Sequence, residues 1–115
     1  MGTNALRLGK HNWQSEVLSS PVPVLVDFWA EWCPPCKLIG PTVESLAAKF
    51  QGQAKVGKLD VDAEPEIAGQ FGVQSIPTLL VFRDGKVVDQ KVGAGSPADL
   101  ERFLSAHLPA VAAAR

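Results

Sequence analysis

The chain has 115 residues, of which 46% are hydrophobic and 20% charged, and its formal net charge is −1. That length supports one hydrophobic core and not two, since independent domains run to about 100–150 residues, and the composition is that of an ordinary soluble globular protein rather than a disordered one. Lys and Arg are scattered along the near-neutral chain, which excludes the basic stripe of a nucleic-acid binder and argues against acidic membrane lipid as a partner.

The first twenty residues hold no continuous apolar core and no small-residue cleavage site of the secretory kind. No stretch is apolar for long enough to span a bilayer. A cytoplasmic location is therefore expected. In that compartment cellular thiols keep structural disulfides reduced, so the two cysteines read as a catalytic pair more readily than as a staple.

In chain order, a short strand is predicted around Ala5-Leu8, then a helix over Trp13 to Leu18 capped by Asn12. Pro21-Val22-Pro23 breaks the chain. Val24 to Ala30 is a nearly unbroken apolar run of strand length, the pattern of a central strand covered on both faces. It leads straight into Glu31-Trp32-Cys33-Pro34-Pro35-Cys36. Ile39, Val43, Leu46, Ala47 and Phe50 then recur at helical spacing, with Pro41 expected to kink the helix.

A third strand fits Lys55 to Val61, and a short helix fits Pro65 to Phe71, with Gly72 just past its end. Thr78 to Phe82 and Lys86 to Val92 flank Arg83-Asp84-Gly85, an antiparallel hairpin signal. Ser96-Pro97-Ala98-Asp99 opens a last helix that turns Leu100, Phe103, Leu104 and Leu108 to the core. Residues 109–115 form a tail expected to fray. The whole of 1–115 reads as a single α/β domain with a mixed sheet, parallel first and ending in an antiparallel hairpin.

The thiolate is the attacking species in disulfide exchange, and a helix N-terminus lowers a thiol pKa because free amides and the helix dipole favour negative charge. Cys33 stands at such an end with Cys36 one turn later. This spacing makes Cys33 the exposed nucleophile and Cys36 the more buried resolving thiol. Two prolines between them are tolerable because first-turn amides have no helical partners. The competing readings are half of a zinc site and an inert buried pair; zinc needs four ligands, and the only histidines, His11 and His107, are single and far apart. Asp27, inside an apolar strand run, is either a polar residue with satisfied hydrogen bonds or an acid whose pKa burial raises.

The segment Val26 to Lys37, with Trp32-Cys33-Pro34-Pro35-Cys36 at its centre, resembles the active-site segment of the thioredoxin family. Pro41, Lys58 in Lys58-Leu59-Asp60-Val61-Asp62, Ile76-Pro77-Thr78 and Lys91-Val92-Gly93-Ala94 match that family too, over about residues 5–108. The resemblance implies the thioredoxin fold, a central mixed sheet flanked by helices, and a protein disulfide reductase serving electron transport and redox homeostasis. It implies that Asp27 is the buried acid that takes the Cys36 proton through water and that Lys58 modulates it. Trp32, Pro34, a cis Pro77 after Ile76, Gly93 and Ala94 become the substrate-docking surface, with Trp29, Pro35 and Pro41 structural beside the site.

It further implies clients that contain disulfides, a thioredoxin reductase drawing on NADPH, no cofactor or metal bound by this chain, and a monomer. Pro34 stands where the family carries glycine, which bears on the redox potential and on docking. Two other readings of the same features are a redox-independent binding subunit and a net thiol oxidant or isomerase.

Overall fold

The computed structural model describes residues 4–108. The apolar runs pair into one five-stranded sheet of order β1-β3-β2-β4-β5, in which β1 is Leu6–Arg7, β2 Val24–Trp29, β3 Lys55–Asp60, β4 Thr78–Arg83 and β5 Lys86–Val92. β3 runs parallel to both β1 and β2, in register from Val24 opposite Lys55 to Trp29 opposite Asp60. β4 runs antiparallel to β2 and to β5. The mixed sheet read from the sequence is present, and the β4–β5 turn carries Asp84 and Gly85 at φ +55° and +78°, the left-handed pair that a two-residue hairpin loop requires.

β2 lies at the centre, and Val24 to Phe28 are all fully buried, which is why the run does not alternate with polar residues. Because side chains alternate across a strand, one set packs on each face. Val24, Val26 and Phe28 meet Leu59, Leu80, Phe82, Trp13 and Ile67 on one side. Leu25 joins Val56, Leu79 and Val81 on the other, beneath helices α1 (Pro34–Lys49) and α3 (Pro97–Ser105). Each fully buried side chain of this kind contributes about 1.5–3 kcal/mol of transfer free energy.

α1 turns Cys36, Ile39, Val43 and Leu46 inward and runs unbroken through Pro41. The short α2 (Pro65–Gln70) buries Ile67 and Ala68. α3 opens with a reciprocal cap: the Asp99 N–H donates to Ser96 Oγ at 3.1 Å, and the Ser96 N–H donates to Asp99 Oδ2 at 3.3 Å. Leu100 and Leu104 are fully buried, with Phe103 and Leu108 packed against them. Gly57 lies where the chain approaches closely: a Cβ there would be 2.5 Å from Cδ1 of the buried Leu8 and 3.1 Å from the Leu6 carbonyl oxygen, so a side chain at 57 requires Leu8 to move.

Two expectations need correction. The segment after Asn12 is π-helical over Gln14–Leu18, and Asn12 does not cap it. Asn12 Oδ1 instead accepts the Gly9 N–H at 2.9 Å, and its Nδ2 donates to the Arg7 carbonyl at 3.0 Å. A short amide side chain competes for nearby backbone groups in this way, and here it closes the turn after β1, letting Trp13 pack on Phe71 and Phe82. The first strand is also shorter than read, although the Leu8 N–H still donates to the Lys58 carbonyl at 2.9 Å. The tail 109–115 lies outside the described residues. Among the described residues no helix is long and apolar enough to cross a membrane.

Candidate active site

β2 ends at Trp29, and four residues later the chain enters α1 with Cys33 at its N-cap in an extended conformation. Cys33 and Cys36 are joined by a disulfide, with Cα atoms 5.3 Å apart. The Cys33 N–H donates back to the Ala30 carbonyl at 3.2 Å, and the Cys33 carbonyl accepts the first helical bond from Lys37 at 3.2 Å. Pro34 and Pro35 have no N–H, so the first helix amide free to face the N-cap sulfur is that of Cys36. It donates to Cys33 Sγ at 3.3 Å. That amide and the helix dipole both favour a negative charge on Cys33.

The spacing predicts an exposed Cys33 and a more buried Cys36; in the disulfide form both are buried, at 3% and 2% exposure. The physical reason is the covalent bond itself together with Trp29, Val61 and Ile76, which pack against the pair and Ala30. The Ile76 carbonyl oxygen lies 3.9 Å from Cys33 Sγ. A disulfide sulfur carries no proton, so this is a contact rather than a hydrogen bond.

The Ile76–Pro77 peptide bond is cis, and the Pro77 carbonyl accepts the Gly93 N–H at 2.8 Å. Gly93 sits at φ +94°, where a residue with a Cβ is strained. Three distant segments, 33–36, 76–77 and 93–94, are thereby brought to one end of the sheet. Trp32 is 66% exposed, and its ring is tied to a fourth segment through Nε1, which donates to Asp62 Oδ2 at 2.8 Å. Asp60 Oδ1 in turn accepts the Asp62 N–H at 2.9 Å and the Ala63 N–H at 3.3 Å, shaping that loop.

Asp62 and Val61 join the site without a local signal of their own. Both lie within the Lys58-to-Asp62 motif, so the segment was legible while their contacts to Trp32 and to the cysteine pair were not.

Asp27 is fully buried on β2, opposite Lys58 on β3 and Leu79 on β4. Among the described residues neither of its carboxyl oxygens has a hydrogen-bond partner. Burial pushes the carboxyl up to about 7, against the opposing pull of the Lys58 ammonium. Lys58 Nζ rests 4.4 Å from the centroid of the Trp29 ring, a cation–π distance. Outward of Lys58 a cavity of about 570 Å³ is bordered by Arg7, Trp29, Glu44 and Asp60, and none of the disulfide residues lines it. No group of three or more His, Cys, Asp or Glu side chains among the described residues is placed to hold a metal ion.

A vicinal cysteine pair held at a helix N-terminus, at the end of a central strand of a mixed sheet, defines a thiol–disulfide oxidoreductase. The thioredoxin family model matches residues 4–106, and the chain belongs to the thioredoxin family. It is 57% identical over 83 residues to the thioredoxin of Chlorobaculum thiosulfatiphilum, covering 72% of this chain and 77% of that protein. It is 48% identical over 97 residues to thioredoxin 2 of Chlorobaculum tepidum, covering 84% and 89%. It is also 42% identical over 108 residues to the thioredoxin of Pseudomonas aeruginosa, covering 94% and 100%. The protein is a protein disulfide reductase that works through its Cys33-x-x-Cys36 pair.

Proposed function

We propose that Cys33 is the attacking thiolate and Cys36 the resolving thiol. The observation that carries this assignment is the Cys36 N–H directed at Cys33 Sγ at the start of α1. Cys33 thiolate attacks one sulfur of a client disulfide and releases the other as a thiolate. Cys36, deprotonated, then attacks Cys33 Sγ, expels the second client thiolate and leaves the Cys33–Cys36 bond oxidised. Two electrons pass to the client and two protons complete its thiols.

Asp27 takes the Cys36 proton, through water, and Lys58 sets how readily it does so. A carboxyl at about 7 is close to the operating pH of a general base. Trp32, Pro34, Ile76, Pro77, Gly93 and Ala94 form the docking surface; Trp29, Pro35 and Pro41 shape the loop and helix beside it. A thioredoxin reductase drawing on NADPH restores the dithiol. The chain acts in the cytoplasm as a monomeric single domain.

Cys36→Ser keeps attack and loses resolution, so it accumulates covalent mixed disulfides with a disulfide-bonded protein such as insulin, whereas Cys33→Ser accumulates none. Equal trapping by the two variants on non-reducing gels overturns the assignment. Turnover of insulin with dithiothreitol as reductant, retained in the parent and lost in Cys33→Ser, separates this reading from a redox-independent binding subunit. A potential near that of a strong oxidant, measured against glutathione, would favour the oxidant or isomerase reading instead.

A further inference from the structure

α1 carries an apolar surface that the fold itself does not use. Leu38 is 78% exposed because it lies about 100° around the helix from Ile39, which takes the core position. Pro34, Leu38 and Pro41, four and three residues apart, share one helix face, and all three are exposed. The ridge begins on the residue after Cys33. At Pro41 it becomes one wall of a groove of about 260 Å³, in which Thr42, Ser45 and Leu46 of α1 face Pro97 and Glu101 of α3. The groove is bounded by an exposed ion pair between Lys49 Nζ and Glu101 Oε2 at 2.6 Å. Such a surface pair contributes little stability and opens readily.

A single exposed leucine on a surface needs no explanation; Leu38 differs in being continuous with the reacting disulfide. Val87 and Val88, also exposed on the edge strand β5, have no such continuity. Resting on the reading that clients dock around Cys33, we propose that the Pro34–Leu38–Pro41 ridge and the α1/α3 groove hold apolar side chains of the client segment flanking the target cysteine. Leu38 is then a specificity-determining residue.

The dimensions suit this occupant. An extended client advances about 3.3 Å per residue, while Leu38 lies about 6 Å of helix axis beyond Pro34 and Pro41 about 10 Å beyond it. Residues two to four positions from the client cysteine therefore pass over the ridge. A second copy of this chain needs about 800 Å² of matching surface, or about 20–30 residues, on each partner, far more than the nine residues that form the ridge and the groove.

The test uses two peptides closed by the same single disulfide, one of them extended at either end by five residues that include leucine and phenylalanine. The parent protein reduces the extended peptide with a KM lower by about tenfold, the scale expected from covering one leucine-sized apolar contact. In a Leu38→Asp, Ser45→Trp double variant that advantage disappears, and in Leu38→Ala it shrinks in the same direction. Both positions are outside the core, and circular dichroism of each variant establishes that it is folded.

An extension with no advantage in the parent, or an advantage that survives the double variant, overturns the proposal. So does a concentration-dependent mass that the double variant abolishes, which would assign the ridge to a second copy. Trp32→Ala is the separate arm. If it raises KM for both peptides while the extension has no effect, the docking reading stands and the ridge falls; if it raises neither, the docking reading itself fails.

Discussion

Replacing Asp27 by Asn tests the energetic consequence of a buried carboxyl against pH. An aspartate in the unfolded chain titrates near 3.9, and burial raises Asp27 to about 7 in the folded protein. Between those values the folded state binds a proton that the unfolded state has lost, so folding stability falls as pH rises through this window. The cost is absent below about pH 4 and complete above about pH 7. At about 1.36 kcal/mol for each pH unit between the two values, it reaches roughly 4 kcal/mol.

Asn keeps the shape and carries no charge, so it removes the cost without opening a cavity. Asp27→Asn is expected to be more stable than the parent by a margin that grows from near zero at about pH 4 to as much as about 4 kcal/mol at about pH 8. Urea unfolding of the oxidised proteins across that range measures the margin, because the closed disulfide keeps the cysteines from titrating and every other titrating group is common to both chains. A margin that stays constant with pH would refute the reasoning, since it would mean that Asp27 titrates alike in folded and unfolded chains.

Pro34→Gly is expected to make the protein a weaker reductant by about 10–20 mV, because proline limits the freedom of the reduced loop by about 0.4–1 kcal/mol relative to glycine; equilibration against glutathione measures it, and an unchanged or more negative potential counts against loop stiffening. Asp27→Asn is also expected to slow resolution of a mixed disulfide while leaving attack by Cys33 intact, and stopped-flow traces with equal resolution rates would remove its role in proton transfer. Phe28→Ala empties a fully buried site between β2 and its neighbours and is expected to cost about 3–5 kcal/mol in urea unfolding. Ser96→Ala breaks the cap of α3 and is expected to cost about 1 kcal/mol, with a loss under a few tenths showing that water replaces the hydroxyl.

Local signals carried much of the fold. The β2 run, the stripe of α1, the Asp84-Gly85 turn and the Ser96 cap each depend on residues within a few positions of one another, so their physics is written in short windows of chain. The N-terminal segment was the least legible. Asn12 offered a cap signal, yet its side chain had a better use in the turn after β1, and the burial of Trp13 on Phe71 and Phe82 is a tertiary choice that no local propensity displays.

The amino-acid sequence by itself determined the chemistry of the centre: two cysteines one helical turn apart, placed at a helix start by the prolines between them and by the apolar strand before them. It also determined the family, because several separated motifs match together. Only the tertiary structure decided which groups surround that centre. The pairing of β2 with β3 sets Lys58 beside Asp27, and the turn after β4's neighbour β5 returns Gly93 to Pro77. The loop after β3 supplies Asp62 to Trp32. Each of these contacts joins residues about 15 to 30 positions apart, and such pairs meet only when strand register and sheet order are settled by burying the faces of β2. Spacing along the chain determines what a residue is able to do; the register of the sheet determines what it does it to.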